Sequence, residues 1–376
     1  MAWWLIVAAV VVLGLAGASP AASPAPKPEL RGIYLELHGN RAFGAFPLLQ
    51  EGDWRGLFHR LKELGVNTIL PNVVSPSGAI YPSTVVPTRP LEERLGHPDL
   101  LKVIAEAAHA EGLEVHPWTI EWYHAPRETD PNRLAHDPEG KTTNSLCPSV
   151  PQNRDLMQRM LLELAKRPDI DGLQYDYIRF PEGQYCYCQH CRAGFERRLG
   201  HSVTNWPADV LPKGSLEIKY VDYLCDTISS FVQDMHDPLK AAHPRPRLVL
   251  SAAVWCVESG SRHVGVRQDW GRWAEEGWVD FVAPMNYGNK WVVANFERFA
   301  RNEAKMLTGK RPFVFGAGAY LDTPEGVVKA AKLGRELGAS GLIVYTLTEN
   351  TFANHLPAMR KEVWTEPAEV PSFGRR

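Results

Sequence analysis

The chain has no block of like charge. Its 41 lysines and arginines and 43 aspartates and glutamates are interspersed along 376 residues, so no patch is long enough to hold nucleic acid or an anionic membrane surface. Neither is expected as a partner. Long apolar runs are almost missing as well. The one such run, Met1 to Ala18, is shorter than the roughly 20 residues a membrane-spanning helix needs, and no stop-transfer charges follow it. Small residues at Ala16-Gly17-Ala18 and Pro20-Ala21-Ala22 offer cleavage sites, so residues 1–22 read as an export signal of a secreted or periplasmic protein. No lysine or arginine precedes the run, which keeps open an uncleaved N-terminal anchor as the sole membrane contact. No cysteine stands nearby to take a lipid. Residues 23–29 read as a linker rich in proline and small residues. A compact His/Asp ligand motif is also lacking, which argues against a metal-dependent deacetylase or hydrolase built on His116 and Asp176.

What the chain does have is alternation. From Leu30 onward, short β-rich runs alternate with amphipathic helical stretches, the pattern of parallel strands joined by helical crossovers. Strands are predicted over 32–37, 68–72, 114–120, 172–178, 248–254, 281–286, 313–317 and 342–346, and helices over 54–64, 98–111, 154–166, 216–242, 270–276, 292–307 and 324–337. Gly65, Gly112, Gly277 and Gly338 supply the left-handed step that leaves a helix. Eight strand-helix units favour closure over an open doubly wound sheet. The expected fold is α/β, a single (β/α)8 TIM barrel over residues 30–360, with long inserted loops after strands 2, 3 and 4 and a tail over 361–376. The loops over 122–153 and 181–215 leave the C-terminal face and should wall a cleft.

The densest chemistry lies in Asp171-Gly-Leu-Gln-Tyr-Asp-Tyr-Ile-Arg-Phe-Pro181. It reads as a buried strand that delivers Asp176, Tyr177 and Arg179 at its carboxyl end, where barrels build their active sites. The opposing reading makes Asp176 a structural partner of Arg179 or a loop cap. Strand three ends His116-Pro-Trp-Thr-Ile-Glu121; alternation sends His116 and Trp118 the same way, towards the barrel mouth, with Glu121 on the rim. Trp255 and Glu258 end strand five, Asn286 and Tyr287 strand six, and Tyr345 and Glu349 strand eight.

Glycoside cleavage uses two carboxyl groups, one as acid and the other as nucleophile or base. Asp176 is the candidate nucleophile or general base, and Glu121, ahead of Glu349 and Glu258, the candidate general acid. His116, Trp118, Tyr177, Arg179, Trp255, Asn286, Tyr287 and Tyr345 are candidates for binding a polysaccharide, the rings by stacking on pyranose faces. Such chemistry requires no cofactor. The six cysteines include Cys186-Tyr-Cys-Gln-His-Cys191. A structural zinc on Cys186, Cys188 and Cys191, with His190, Cys225 or Cys147 as fourth ligand, competes here with one or two disulfides.

Five motifs together resemble the glycosyl-hydrolase-like family 10. They are Arg31-Gly-Ile-Tyr-Leu-Glu36, Glu114-Val-His-Pro-Trp118, the segment from Asp171 to Pro181, Gln268-Asp-Trp-Gly-Arg-Trp, and Val279-Asp-Phe-Val-Ala-Pro-Met-Asn-Tyr287. Members are bacterial exported proteins related to the enzyme that cleaves peptidoglycan glycan strands stripped of their stem peptides. The resemblance covers about residues 30–350 and implies a barrel hydrolase acting on a polysaccharide, with Asp176 in the family's strand-four acidic position. Glu36 and Glu121 stand as local departures from the family pattern. Chitinase-type barrels carry Asp-Gly-x-Asp-x-Asp-x-Glu on the fourth strand; here Gln174 and Ile178 occupy the middle-acid and glutamate positions, which argues against their substrate-assisted mechanism. Strand seven ends Gly316-Ala-Gly-Ala-Tyr320 and offers no nucleophilic glutamate. The rival expectation is a non-catalytic carbohydrate-binding barrel, with the aromatic cleft but no matched acid.

Overall fold

The computed structural model describes Met1 and residues 28–37, 52–123, 130–181, 186–244, 247–260 and 265–373. The export signal and most of the linker lie outside the described residues. Eight parallel strands form the barrel: β1 (Leu30–Leu35), β2 (Thr68–Ser75), β3 (Trp118–Ile120), β4 (Gly172–Asp176), β5 (Val249–Trp255), β6 (Phe281–Met285), β7 (Phe315–Gly318) and β8 (Gly341–Tyr345). Each pairs with the next, and β1 pairs with both β2 (Gly32 opposite Thr68) and β8 (Leu30 opposite Gly341), so the sheet closes. Every strand falls on a predicted run. The third run is split: Glu114–Val115 pairs with β2, and the ladder resumes only at Trp118, because Pro117 between them has no N–H to donate.

Ten α-helices are found among the described residues: α1 (Trp54–Glu63), α2 (Leu100–Ala110), α3 (Pro151–Ala165), α4 (Gln189–Leu199), α5 (Glu217–Ala242), α6 (Trp270–Glu276), α7 (Lys290–Ala294), α8 (Phe296–Leu307), α9 (Pro324–Glu336) and α10 (Leu356–Glu362). Helix α1 shows the logic. Trp54, Leu57, Phe58 and Leu61 form its buried stripe, and the Asp53 carboxylate accepts the Gly56 N–H at 2.8 Å to cap it. The helix predicted over 292–307 begins earlier and breaks at Asn295, whose side chain donates to the Trp291 carbonyl at 2.8 Å and competes with the backbone ladder. Gly65, Gly112, Gly277 and Gly338 have φ of 92°, 69°, 77° and 80°, the left-handed exits expected of them. No described helix is long and apolar enough to cross a membrane.

The three inserted loops hold regular structure of their own. After β2, Gly78–Ala79 folds back antiparallel on Val74 and Ser75. After β3 comes a hairpin of Leu134–His136 and Thr142–Leu146. After β4 comes α4, whose Phe195 packs on Tyr220 and Tyr223 of α5. At the opposite end, the tail crosses the N-terminal face of the barrel. Glu29 N donates to Glu369 O (2.9 Å), Arg247 reaches the carbonyls of Phe373 and Pro371 (3.2 and 3.1 Å), and Phe373 packs on Phe281 with centroids 4.6 Å apart. Phe373 joins Leu30, Val249 and Val314 in the apolar floor of the barrel.

Candidate active site

The pleat decides which side chains meet inside the barrel. On β1, β3 and β4 the even-numbered residues face inward: Tyr34, Trp118 and Gln174 pack across the interior, where the Tyr34 hydroxyl donates to Gln174 Oε1 at 2.5 Å. One step further along the same parity come Glu36, Ile120 and Asp176. With Tyr177, Arg179, Trp255, Met285, Tyr287, Tyr320 and Tyr345 they line a cavity of about 240 Å³ at the C-terminal ends of the strands.

Asp176 ends β4, and the turn beyond it is tight. Tyr177 adopts the left-handed conformation (φ 51°), which costs a non-glycine residue about 1–2 kcal/mol. That bend lets the Tyr177 N–H donate to Asp176 Oδ1 at 2.6 Å and folds Arg179 back, its guanidinium 4.3 Å above the Tyr177 ring, 5.5 Å from that of Trp255 and 3.9 Å from Asp176 Oδ1. Burial pushes the Asp176 carboxyl up to about 6 against the pull of Arg179 and the Tyr177 amide, and the nearby charge of Glu36 pushes the same way. Glu36, just past β1, is 4% exposed. Burial lifts it to about 7, although it accepts a hydrogen bond from the Tyr345 hydroxyl and feels the positive charge of Arg89. The Arg89 guanidinium is itself buried and donates to Leu37 O (2.7 Å), Gly78 O (3.0 Å) and Ser75 Oγ (2.7 Å), which fixes the chain beside Glu36.

The opposite wall is aromatic. Tyr287 and Tyr345 stack with centroids 5.2 Å apart, and Tyr320 meets Tyr345 edge-on at 5.7 Å. The glycines ending β7 make room for this wall: a Cβ on Gly316 would stand 2.8 Å from the Tyr287 ring, and one on Gly318 2.5 Å from Tyr287 Cβ. A smaller cavity, about 170 Å³, adjoins the first through the shared Tyr177 and Arg179; Trp122, Tyr123, Ser145, Phe180 and Pro181 complete it. Tyr123 stacks on Tyr177 at 5.6 Å.

Of the candidates read from the sequence, Asp176, Trp118, Tyr177, Arg179, Trp255, Tyr287 and Tyr345 meet in the main cavity, and five others do not line it. Glu121 has the opposite parity to Ile120 and faces outward. It is fully buried, accepts from Thr119 Oγ1 (2.5 Å) and from the Asp176 N–H (2.9 Å), and so supports the backbone of Asp176 from behind the strand. Glu258 is half exposed and pairs with Arg298 at 2.9 Å. Glu349 is exposed, at the start of the helical segment beyond β8. Asn286 likewise points outward and donates to Glu303 of α8 at 3.0 Å. His116 shares the inward face but lies too deep. Its ring bears on Gly172, four residues before Asp176 and so roughly 13 Å below it, and Nε2 lies 3.0 Å from Glu114. Glu36 and Tyr320 are the residues that sequence reasoning missed; Glu36 shares the parity of Tyr34, which was the available signal. Cys186, Cys188 and Cys191 gather outside both cavities with Cys147 as the fourth sulfur, and His190 and Cys225 are not part of that group.

The sequence profile of the glycosyl hydrolase-like 10 family matches residues 29–316, a span that ends within β7. Glycosyl hydrolase YngK of Bacillus subtilis is 23% identical over 376 aligned residues, covering 86% of this chain and 69% of YngK. Glycosyl hydrolase DigH of Escherichia coli K12 is 24% identical over 262 residues, covering 60% of this chain and 56% of DigH, so the chain spans little more than half of that relative. Among solved structures, the PgaB (BpsB) glycoside hydrolase domain of Bordetella bronchiseptica superposes with a TM-score of 0.67 at 16% identity, over 89% of this chain and 98% of that domain, a likeness of fold. The family profile covers more than half of the chain, so the chain is a glycosidase and belongs to the glycosyl hydrolase-like 10 family.

Proposed function

We propose that this protein is exported and hydrolyses O-glycosidic bonds in a cell-envelope polysaccharide, with amino-sugar glycan strands as the substrate class. The observation that carries the reading is the pair of buried carboxyl groups, Glu36 and Asp176, on one aromatic-lined cavity. Their environments suit complementary roles. Near neutral pH Asp176, raised to about 6, is the more ionised, and Glu36, raised to about 7, retains more of its proton. Glu36 then protonates the glycosidic oxygen as the C–O bond breaks. Asp176 either attacks the anomeric carbon or takes a proton from the attacking water. Trp118, Tyr177, Trp255, Tyr287 and Tyr345 hold sugar rings, and the smaller cavity beyond Arg179 offers a place for the next unit of a polymer. The apolar segment over residues 1–22 supports the export part of the proposal.

The test compares glycan strands stripped of peptide with an activated aryl glycoside, whose leaving group needs little protonation. Asp176→Asn should abolish turnover of both, and Glu36→Gln should damage the glycan reaction far more than the aryl one. Equal losses on the two substrates would remove Glu36 from the acid role. Wild-type protein that binds glycan strands and cleaves neither substrate would make the barrel a binding protein.

A further inference from the structure

Four of the six cysteines form a group with no part in the cavity chemistry. Cys147 follows the hairpin strand Thr142–Leu146 in the loop after β3, Cys186 and Cys188 lie in the loop after β4, and Cys191 sits in the first turn of α4. All four are buried, and their sulfurs lie within 4.8 Å of one another. Cys147 Sγ is 3.5 Å from Cys191 Sγ and 3.6 Å from Cys188 Sγ. A tetrahedral zinc with Zn–S bonds of about 2.3 Å puts its sulfurs about 3.8 Å apart, whereas a disulfide would bring two of them to about 2.0 Å. The gathering therefore has the dimensions of a metal cage. Backbone amides already point at the sulfurs: His136 N lies 3.4 Å from Cys186 Sγ, and Ser149 N 3.4 Å from Cys147 Sγ.

We propose that Cys147, Cys186, Cys188 and Cys191 bind one zinc ion in a closed four-thiolate site. Binding displaces the thiol protons to solvent and forms four Zn–S bonds, with no change of oxidation state. Four protein ligands leave no coordination position for water or substrate, so the metal is structural. Its place in the chain gives it a task. It joins the loop after β3 to the loop after β4, which otherwise meet through contacts such as Tyr187 N to His136 O at 2.9 Å. Those loops carry Ser145 and Pro181, two walls of the smaller cavity. The zinc holds that cavity in shape, and the inference stands independently of the reaction proposed above.

The experiment uses the full chain purified under reducing conditions. Metal analysis should return about one zinc per chain. Replacement by Co(II) should give the thiolate charge-transfer and d–d absorption of a tetrahedral sulfur site. Cys188→Ser should lose the metal, while Cys225→Ser and Cys256→Ser, at cysteines outside the cluster, should keep it. Removing the zinc from wild type with a chelator should open the segments 130–150 and 186–200 to protease while the rest of the barrel stays resistant. Wild-type protein that carries no zinc and takes up neither Zn(II) nor Co(II) overturns the proposal, whether or not the serine variant folds. So do disulfides among the four cysteines in protein isolated without reductant and with free thiols blocked, or equal metal loss in Cys188→Ser and Cys225→Ser.

Discussion

Asp176→Asn should stabilise the protein while ending its catalysis. Folding raises the Asp176 carboxyl from 3.8 to about 6, so carrying its charge in the native state costs about 3 kcal/mol. The sign follows from the direction of the shift. The native state binds the proton more tightly than the unfolded chain, so the associated stability is fully present below about pH 4 and is lost as pH rises through about 6. An amide stands in for the neutral acid at every pH: its oxygen can still accept the Tyr177 N–H, and it never carries the buried charge. At about pH 8 the variant should therefore gain up to about 3 kcal/mol, which for a chain of this size raises Tm by roughly 4 °C. At about pH 4.5 most of the gain should vanish, because the wild-type carboxyl is then largely protonated when folded. Calorimetry of both proteins at the two pH values checks this. A variant that melts at or below wild type at the higher pH, or whose gain is the same at both, would refute the claim that the fold holds Asp176 at a cost.

The pH dependence of kcat/KM should be a narrow bell, falling below about 6 as Asp176 takes up a proton and above about 7 as Glu36 loses one. Tyr345→Phe removes a hydrogen bond that holds Glu36 down, so the alkaline limb should move up by about one pH unit; an unmoved limb would mean that another group sets it. Gly318→Ala puts a Cβ 2.5 Å from Tyr287 Cβ. Overpacking of this kind costs about 1–3 kcal/mol, and displacing Tyr287 from the wall should raise KM more than it lowers kcat, as steady-state kinetics on glycan strands would show.

The strand plan was legible because a closed parallel barrel buries both faces of every strand, and that leaves compact apolar runs separated by helices. Asp176, Tyr177 and Arg179 were legible for the same reason: they end such a run. Residues one position off were harder. Glu121 and Asn286 look like rim residues in a linear reading, but each follows an inward neighbour, Ile120 or Met285, and alternation turns it outward. Depth was not legible for His116, since parity gives the face and not the height. The loops after β5 and β8 carry Glu258 and Glu349 to the surface, and their course depends on packing that leaves no periodic trace. Glu36 could have been found from parity alone, by counting Gly32, Tyr34 and Glu36 along one face. The glycines of β7, read in the sequence only as the lack of a glutamate, mark the space that Tyr287 occupies. Cys147 was one of several partners for the cysteine cluster, and only the fold brings its loop to the other three.

The crossing of the tail beneath the barrel sets the geometry of any attachment. Glu29 and Glu369 are hydrogen-bonded neighbours on the floor, and Phe373 fills it from below, so residues 28 and 373 both lie on the side opposite the cavity. A bead, a fusion partner or an envelope surface joined at either point would act as a pedestal. Contacts made there would leave the mouth on the opposite face free, open to a strand longer than the barrel is wide.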